Sequence, residues 1–282
     1  MKLLQRTISI VLTVVGAALL AMGTVLWWAD GHLFDTATVV AQTDDVLESP
    51  DVQVLLTARI TDHVMVYVGD QTFRPQVETI VEEAVADPRL RALVNDGVRQ
   101  THLALVSGDA EQVALRLEAL SREIRQTIVA TVPELAGRIP DTDVLTFDLI
   151  TRSDLPDVWR LAERFHEAAA MFLSIGAVLV GVGLVIGPAR WLRLLVGGLT
   201  FAAFGAVMFV ALRAAITVVE DRITDPLAAA AAGDIFDAFF SSLDTRAIVM
   251  VIGGLLAAMF GVAIRLMRPE YELHTRRASP FR

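Results

Sequence analysis

Nineteen consecutive residues, 168–186, carry no charge, and they follow without a helix breaker from a charged, amphipathic run that begins at Ser153. An uncharged run of that length matches the ~20 residues an α-helix needs to cross a bilayer core. In the preceding run, Leu155, Val158, Trp159, Ala162, Phe165 and Ala169 recur on one face at helical spacing. Ser153 or Asp154 supplies an N-cap, and Pro156 sits early in the helix, where its missing N–H costs nothing. Together the two halves predict one helix of roughly 33 residues, about 50 Å long at ~1.5 Å per residue. Its segment 154–166 lies beside the membrane and continues into a span over 167–187.

Three further apolar runs, 8–28, 195–217 and 247–265, read as spans, which gives four in all. The chain is 54% hydrophobic over 282 residues, with mean hydropathy +0.55. That is too apolar for an ordinary soluble domain. The first run has a rival reading as a cleaved signal peptide. It is about 20 residues long and ends in Trp27 and Trp28 rather than in a small-residue cleavage motif, so an uncleaved anchor is expected. The tryptophan pair is expected to mark the outer interface.

Charge sets the expected orientation. Residues 29–165 carry 24 acids against 12 arginines, whereas segments 1–7, 187–194 and 265–282 together carry nine basic residues and two acidic ones. Positive charge on short flanks marks the cytoplasmic side. The expected layout is a cytoplasmic N-terminus (1–7), an extracytoplasmic helical domain (29–166), a cytoplasmic loop (188–194), an extracytoplasmic loop with an amphipathic helix (218–246) and a cytoplasmic tail (266–282). The fold class is mainly α, a four-helix transmembrane bundle plus a mostly helical exported domain. The acidic balance argues against nucleic acid as a partner, since phosphate demands the opposite sign.

Inside the exported segment, Pro50-Asp51 opens a helix that puts Val52, Leu55, Leu56, Ile60 and Val64 on one side, and Gly69-Asp70 ends it. Pro75 opens another, with Val77, Ile80, Val81 and Val85 facing inward, and a third follows Pro88 to about Ser107. Residues 113–117 and 144–150 alternate at strand period and predict a small two-stranded ribbon. One helix over 110–136 with no sheet is the alternative. In the second outer loop Asp225-Pro226 signals a helix start and Gly233 a point of interruption. Ile235, Phe236, Phe239 and Phe240 form an apolar stripe there. With no basic residue inside it, packing against the exported domain is favoured over lying on lipid.

The chemistry is sparse. There is no cysteine and a single lysine, Lys2, which removes thiolate catalysis, disulfides and lysine-dependent active sites. His166 lies between Glu163 and Glu167 but lacks HExxH spacing, so it reads as a solvated histidine beside the membrane. Asp62 and His63 are adjacent on a helix and cannot face each other. Asp141-Thr142-Asp143 is a short acidic pattern common by chance. Gly183 and Gly187 form a GxxxG pair. Gly197, Gly198 and Gly205, with Gly253, Gly254 and Gly261, stud the last two spans, and all of these suit close packing inside the bundle. No charge falls at the middle of a span, which disfavours an ion-coupled carrier. Arg213 reads as an interface anchor.

Around residues 32–65, Leu33, Asp35, Thr36, Pro50, Val52, Gln53, Ile60, Thr61 and Asp62 form a pattern in which a span leads to an acidic linker, a proline and a helix. In this the chain resembles a group of uncharacterised actinobacterial integral membrane proteins with an extracytoplasmic domain. That resemblance implies a layout and no activity. The expectation is a plasma-membrane protein that is not an enzyme and takes no cofactor or metal, serving as an interaction or scaffold component of the cell envelope. Its expected partners are the lipid bilayer and an envelope protein or lipid, with homo-oligomer formation left open. The alternative is a lipid-handling or transport-associated subunit, with Trp159, Phe165, Phe236, Phe239 and Phe240 lining a groove for an acyl chain or partner.

Overall fold

The computed structural model describes residues 2–107, 126, 129, 130, 133, 158–186 and 189–267. Every regular element among them is helical: α1 (Lys2–Leu33), α2 (Thr36–Glu48), α3 (Pro50–Val68), a 3-10 turn (Gln71–Phe73), α4 (Arg74–Ala86), α5 (Pro88–Ser107), α6 (Val158–Ile186), α7 (Arg190–Arg222) and α8 (Pro226–Leu266). Both expected ribbon strands and the Asp141-Thr142-Asp143 pattern lie outside the described residues. The long helix expected at the centre of the chain is present as α6, unbroken over its described 29 residues.

Local chemistry accounts for the helix ends. Ser49 caps α3 through its side chain, Pro50 occupies the first turn, and Gly69 closes the helix in the left-handed region at φ 72°, which glycine adopts without steric cost. Asp35 caps α2 by accepting the Thr38 backbone N–H at 2.7 Å. That bond, to the charged form, holds the Asp35 carboxyl below its ordinary value. Asp225 caps α8 by accepting the Leu227 N–H at 3.0 Å, with Pro226 following as the sequence signalled. Gly233 does not interrupt α8, which runs 41 residues. One interior glycine costs only ~1 kcal/mol, and the five alanines before it and the apolar run after it carry the helix through. The helix expected within 218–246 and the apolar run 247–265 are therefore one element.

The described residues divide into two compact units, those within Met1–Trp27, Glu167–Leu212 and Leu243–Arg282, and those within Trp28–His166 and Arg213–Ser242. The first unit is a bundle of glycine-lined antiparallel helices. A Cβ at Gly16 would stand 2.8 Å from the Val180 backbone nitrogen, one at Gly176 2.8 Å from that of Leu20, one at Gly23 2.9 Å from that of Leu173, and one at Gly183 2.5 Å from Thr13 Oγ1. Each step up α1 is matched by an equal step down α6. The same holds for α7 and α8. There Gly198 and Gly254 meet backbone to backbone, Gly205 lies against Ala247 and Met250, and Gly261 lies against Trp191 and Leu195. In all four helices the critical glycines are seven residues apart: 16/23, 176/183, 198/205 and 254/261. A seven-residue repeat keeps one seam facing its partner along the whole contact, and small residues on that seam let backbones touch. The packing role expected of Gly198, Gly205, Gly254 and Gly261 is therefore seen, while Gly253 has open space where its Cβ would be.

The second unit builds its core where α3 meets α4. Val64, Met65, Val77 and Val81 are buried, with Ile60, Val85 and Val129 against them. These include the inward faces read from the sequence. Met65 and the buried Thr57 and Thr61 complete the α3 face. Helix α2, unmarked in the sequence reading, packs on α5, where Asn95 donates to Asp44 at 2.6 Å and Arg91 pairs with Glu48. Its signal was the Asp35 cap ahead of Val39, Val40, Val46 and Leu47.

Candidate functional site

Four of the helices, within Leu4–Leu33, Arg164–Ile186, Arg190–Arg222 and Pro226–Leu266, are long and apolar enough to cross a membrane. The charged and aromatic side chains that deserve scrutiny as a site gather in the second unit around residues 28–36, where α1 ends and α2 begins. Trp28 is 3% exposed. Its indole N–H donates to Ser242 Oγ at 2.8 Å, so its one polar atom is satisfied. Phe240 packs on the Trp28 ring at 5.6 Å and stacks on Phe236 at 4.5 Å, while His32 stacks on Trp28 at 5.3 Å. Phe165 meets Phe34 at 5.6 Å. The structure thus brings Phe236 and Phe240 together, with Phe240 against Trp28, and gives Phe165 a different partner. Phe239 is half-buried. The Trp159 side chain lies outside the described residues.

The tryptophan pair behaves differently from the sequence expectation. Helix α1 does not close at Trp28 but runs on to Leu33. Consecutive residues on a helix point about 100° apart. Trp27 alone is outward, at 57% exposure, while Trp28 is buried.

Around this cluster polar groups tie segments together. His102 spans the α1–α2 joint, with Nδ1 2.9 Å from Thr36 Oγ1 and Nε2 3.0 Å from the Leu33 carbonyl. His166, expected to be solvated, is 75% exposed, and its Nδ1 lies 2.9 Å from Asp30 Oδ2. Ser49 donates to Asp234 and Arg59 pairs with Asp225 at 2.8 Å. Those two ties lie ten residues apart on α3 and nine apart, in reverse order, at the start of α8. The opening turns of α8 therefore run antiparallel to α3. Ala231, fully buried between them in sequence, suits a close approach. The apolar stripe at 235–240 belongs to a helix that packs inside this unit, through Phe236 and Phe240, while Ile235 stays exposed. Asp62 is exposed and bonded to Arg74, and His63 is exposed.

The first unit holds a polar centre that the sequence reading missed. Arg193, one of the basic residues of the expected cytoplasmic loop 188–194, is 2% exposed. Its guanidinium donates to Ser9 Oγ at 3.0 Å and to the Leu184 carbonyl at 3.3 Å. Ser9 and Thr13 are fully buried. Thr13 Oγ1 donates to the Ser9 carbonyl at 2.8 Å, and Thr13 lies against both Gly183 and Gly197. One arginine thereby joins α1, α6 and α7.

Among the described residues no three or more His, Asp or Glu side chains gather as a metal site. The contacts given above among the described residues tie helices to one another. This defines a helical chain with four helices able to span a membrane. No protein-family model, curated protein or solved structure matches it.

Proposed function

We propose that the chain is a plasma-membrane protein that presents its second unit outside the cytoplasm as an interaction or scaffold component of the cell envelope, without enzymatic chemistry. The observation that carries this reading is the use of the unit's polar side chains. Arg59, Arg74, Arg91, Asn95, Ser49 and His102 are engaged in contacts between helices or across helix joints. The sequence balance of 24 acids to 12 arginines over 29–165 supports a basic or cation-bridged envelope partner. Gentle purification and native mass spectrometry test the reading. A co-purifying protein or a defined homo-oligomer supports it. Turnover of an envelope substrate that is lost in Asp141→Asn or Asp143→Asn would sink it.

A second reading, a lipid-handling subunit, is supported by the half-burial of Phe236, Phe239 and Phe240, which leaves aromatic surface for an acyl chain. A stoichiometric lipid in the same spectrum, lost in Phe236→Ala, selects this reading.

Both termini are proposed to be cytoplasmic, on the strength of the nine basic residues in the short flanks. Single cysteines at the exposed Asp87 and Asp237 are expected to react with an impermeant thiol reagent in intact cells, and one at Thr275 only after lysis. Reaction at Thr275 in intact cells reverses the orientation.

A further inference from the structure

Two arginine–tryptophan stacks occur in the four-helix unit. The Arg246 guanidinium lies over Trp27, 4.8 Å from the ring centroid, and that of Arg265 lies over Trp191 at 4.6 Å. They join different helices, α8 to the end of α1 and α8 to the start of α7. Between the two arginines, α8 has no charged residue.

The separation of the stacks follows by two independent routes. Along α8, Arg246 and Arg265 are nineteen residues apart, about 28 Å at the ~1.5 Å helical rise. The second route crosses the polar centre. Gly197 lies against Thr13, four residues on in each helix, which with the Arg193–Ser9 hydrogen bond sets Arg193 level with Ser9. Ser9 stands eighteen residues before Trp27, and Trp191 stands two residues before Arg193. That path measures about 30 Å by the same rise. The two figures agree to within one residue's rise or so, and both match the ~30 Å hydrocarbon core of a bilayer. Between these levels no exposed residue is charged, and the exposed surface includes the large apolar Val11, Val15, Val178, Val207, Leu256 and Phe260.

We propose that the stacks define two interface planes, through Trp27 and Arg246 and through Trp191 and Arg265, and that the surface between them fits a phospholipid bilayer with a hydrocarbon core of about 28–30 Å. The proposal rests on the reading of the chain as membrane-spanning. The chemistry of the planes is specific. An indole prefers the headgroup level. A guanidinium stacked on its face keeps N–H donors at its rim, where lipid phosphate oxygens accept them. Arg193, two residues inward of Trp191, then lies on the hydrocarbon side of its plane, which explains why it takes Ser9 and Leu184 as partners rather than a headgroup.

The test is depth-dependent quenching of tryptophan emission by brominated phosphatidylcholines in proteoliposomes. Three single-tryptophan forms are compared: Trp27 alone, Trp191 alone, and Leu255→Trp in a tryptophan-free background. Leu255 lies midway between the arginines and is exposed. Trp27 and Trp191 are expected to lose most emission to bromines near the headgroup, and Leu255→Trp to bromines near the chain ends. Deep quenching of either native tryptophan, or shallow quenching at 255, overturns the planes. Absence of quenching at 255 at every depth assigns that face to a second copy of the chain and overturns them too. Protein that fails to float with the liposomes overturns the membrane reading itself. The unaltered protein supplies a check independent of the variants. Its thermal midpoint is expected to peak in bilayers near the stated thickness, and a steady rise with chain length counts against the proposal.

Discussion

Gly254→Leu is expected to destroy the pairing of α7 with α8, while alanine at the neighbouring Gly253 is tolerated. A Cβ at Gly254 would meet the Gly198 carbonyl oxygen in an impossibly close contact and stand 2.6 Å from the Ala202 backbone nitrogen. Neither atom can swing aside as a side-chain tip would. Alanine at 254 gains ~1 kcal/mol of helix propensity but must push two backbones apart, and overpacking of that kind costs about 1–3 kcal/mol. Leucine exceeds it. At Gly253 nothing lies within 4 Å of the added carbon, so only the propensity gain remains, up to about 1 kcal/mol. Unfolding of the purified protein in mixed micelles with increasing SDS measures both. Equal behaviour of Gly253→Ala and Gly254→Ala would remove the close contact from the argument.

Replacing Arg193 has the second largest expected effect. Arg193→Ala leaves the buried Ser9 hydroxyl and the Leu184 carbonyl without their charged donor, and bonds to a charged group are worth about 1.5–3 kcal/mol. Lysine is expected to recover only part, because an ammonium on a flexible stem does not reproduce the planar fork that reaches two acceptors. The informative variant is the double one. Removing both partners of a buried bond costs less than stranding one. Arg193→Met with Ser9→Ala should therefore fall short of the sum of the single losses, by a coupling of about 0.5–3 kcal/mol. Strict additivity in a double-mutant cycle would show that the Ser9 contact carries no weight.

What could be read in advance followed the range of the signals. Helices α3, α4 and α5 announced themselves through Pro50, Pro75, Pro88 and Gly69, residues that act on their own few neighbours. The buried faces of α3 and α4 followed from spacing, since Val64, Val77 and Val81 recur where a helix must turn inward. The candidate cluster was half legible. Phe236 and Phe240 stand out as aromatic residues four apart, but Trp28 reaches Phe240 from another helix, and an apolar ring does not show in sequence whether it meets lipid or protein. Arg193 was hidden by its company. Beside Arg190 and Trp191 it reads as one more interface residue, and what buries it is Ser9, 184 residues away. The glycines were visible only in part. Gly183 was paired with Gly187, which lies outside the described residues, while Gly16, Gly23 and Gly176 were not singled out. The described contacts follow a seven-residue spacing shared by antiparallel partners 160 residues apart in α1 and α6 and 56 apart in α7 and α8.

That spacing has a consequence for how such a chain changes over generations. Of eight positions, the two glycines on each of the four helices, all but Gly23 have neighbours that are mostly backbone atoms, so few substitutions are neutral there. In the proposed bilayer the outward residues between them would meet only fluid hydrocarbon, to which Val, Ile, Leu, Met and Phe are interchangeable. Lineages of this protein should therefore diverge quickly in letters while keeping a metre, and descendants too dissimilar to align would still share its beat of glycine at every seventh step.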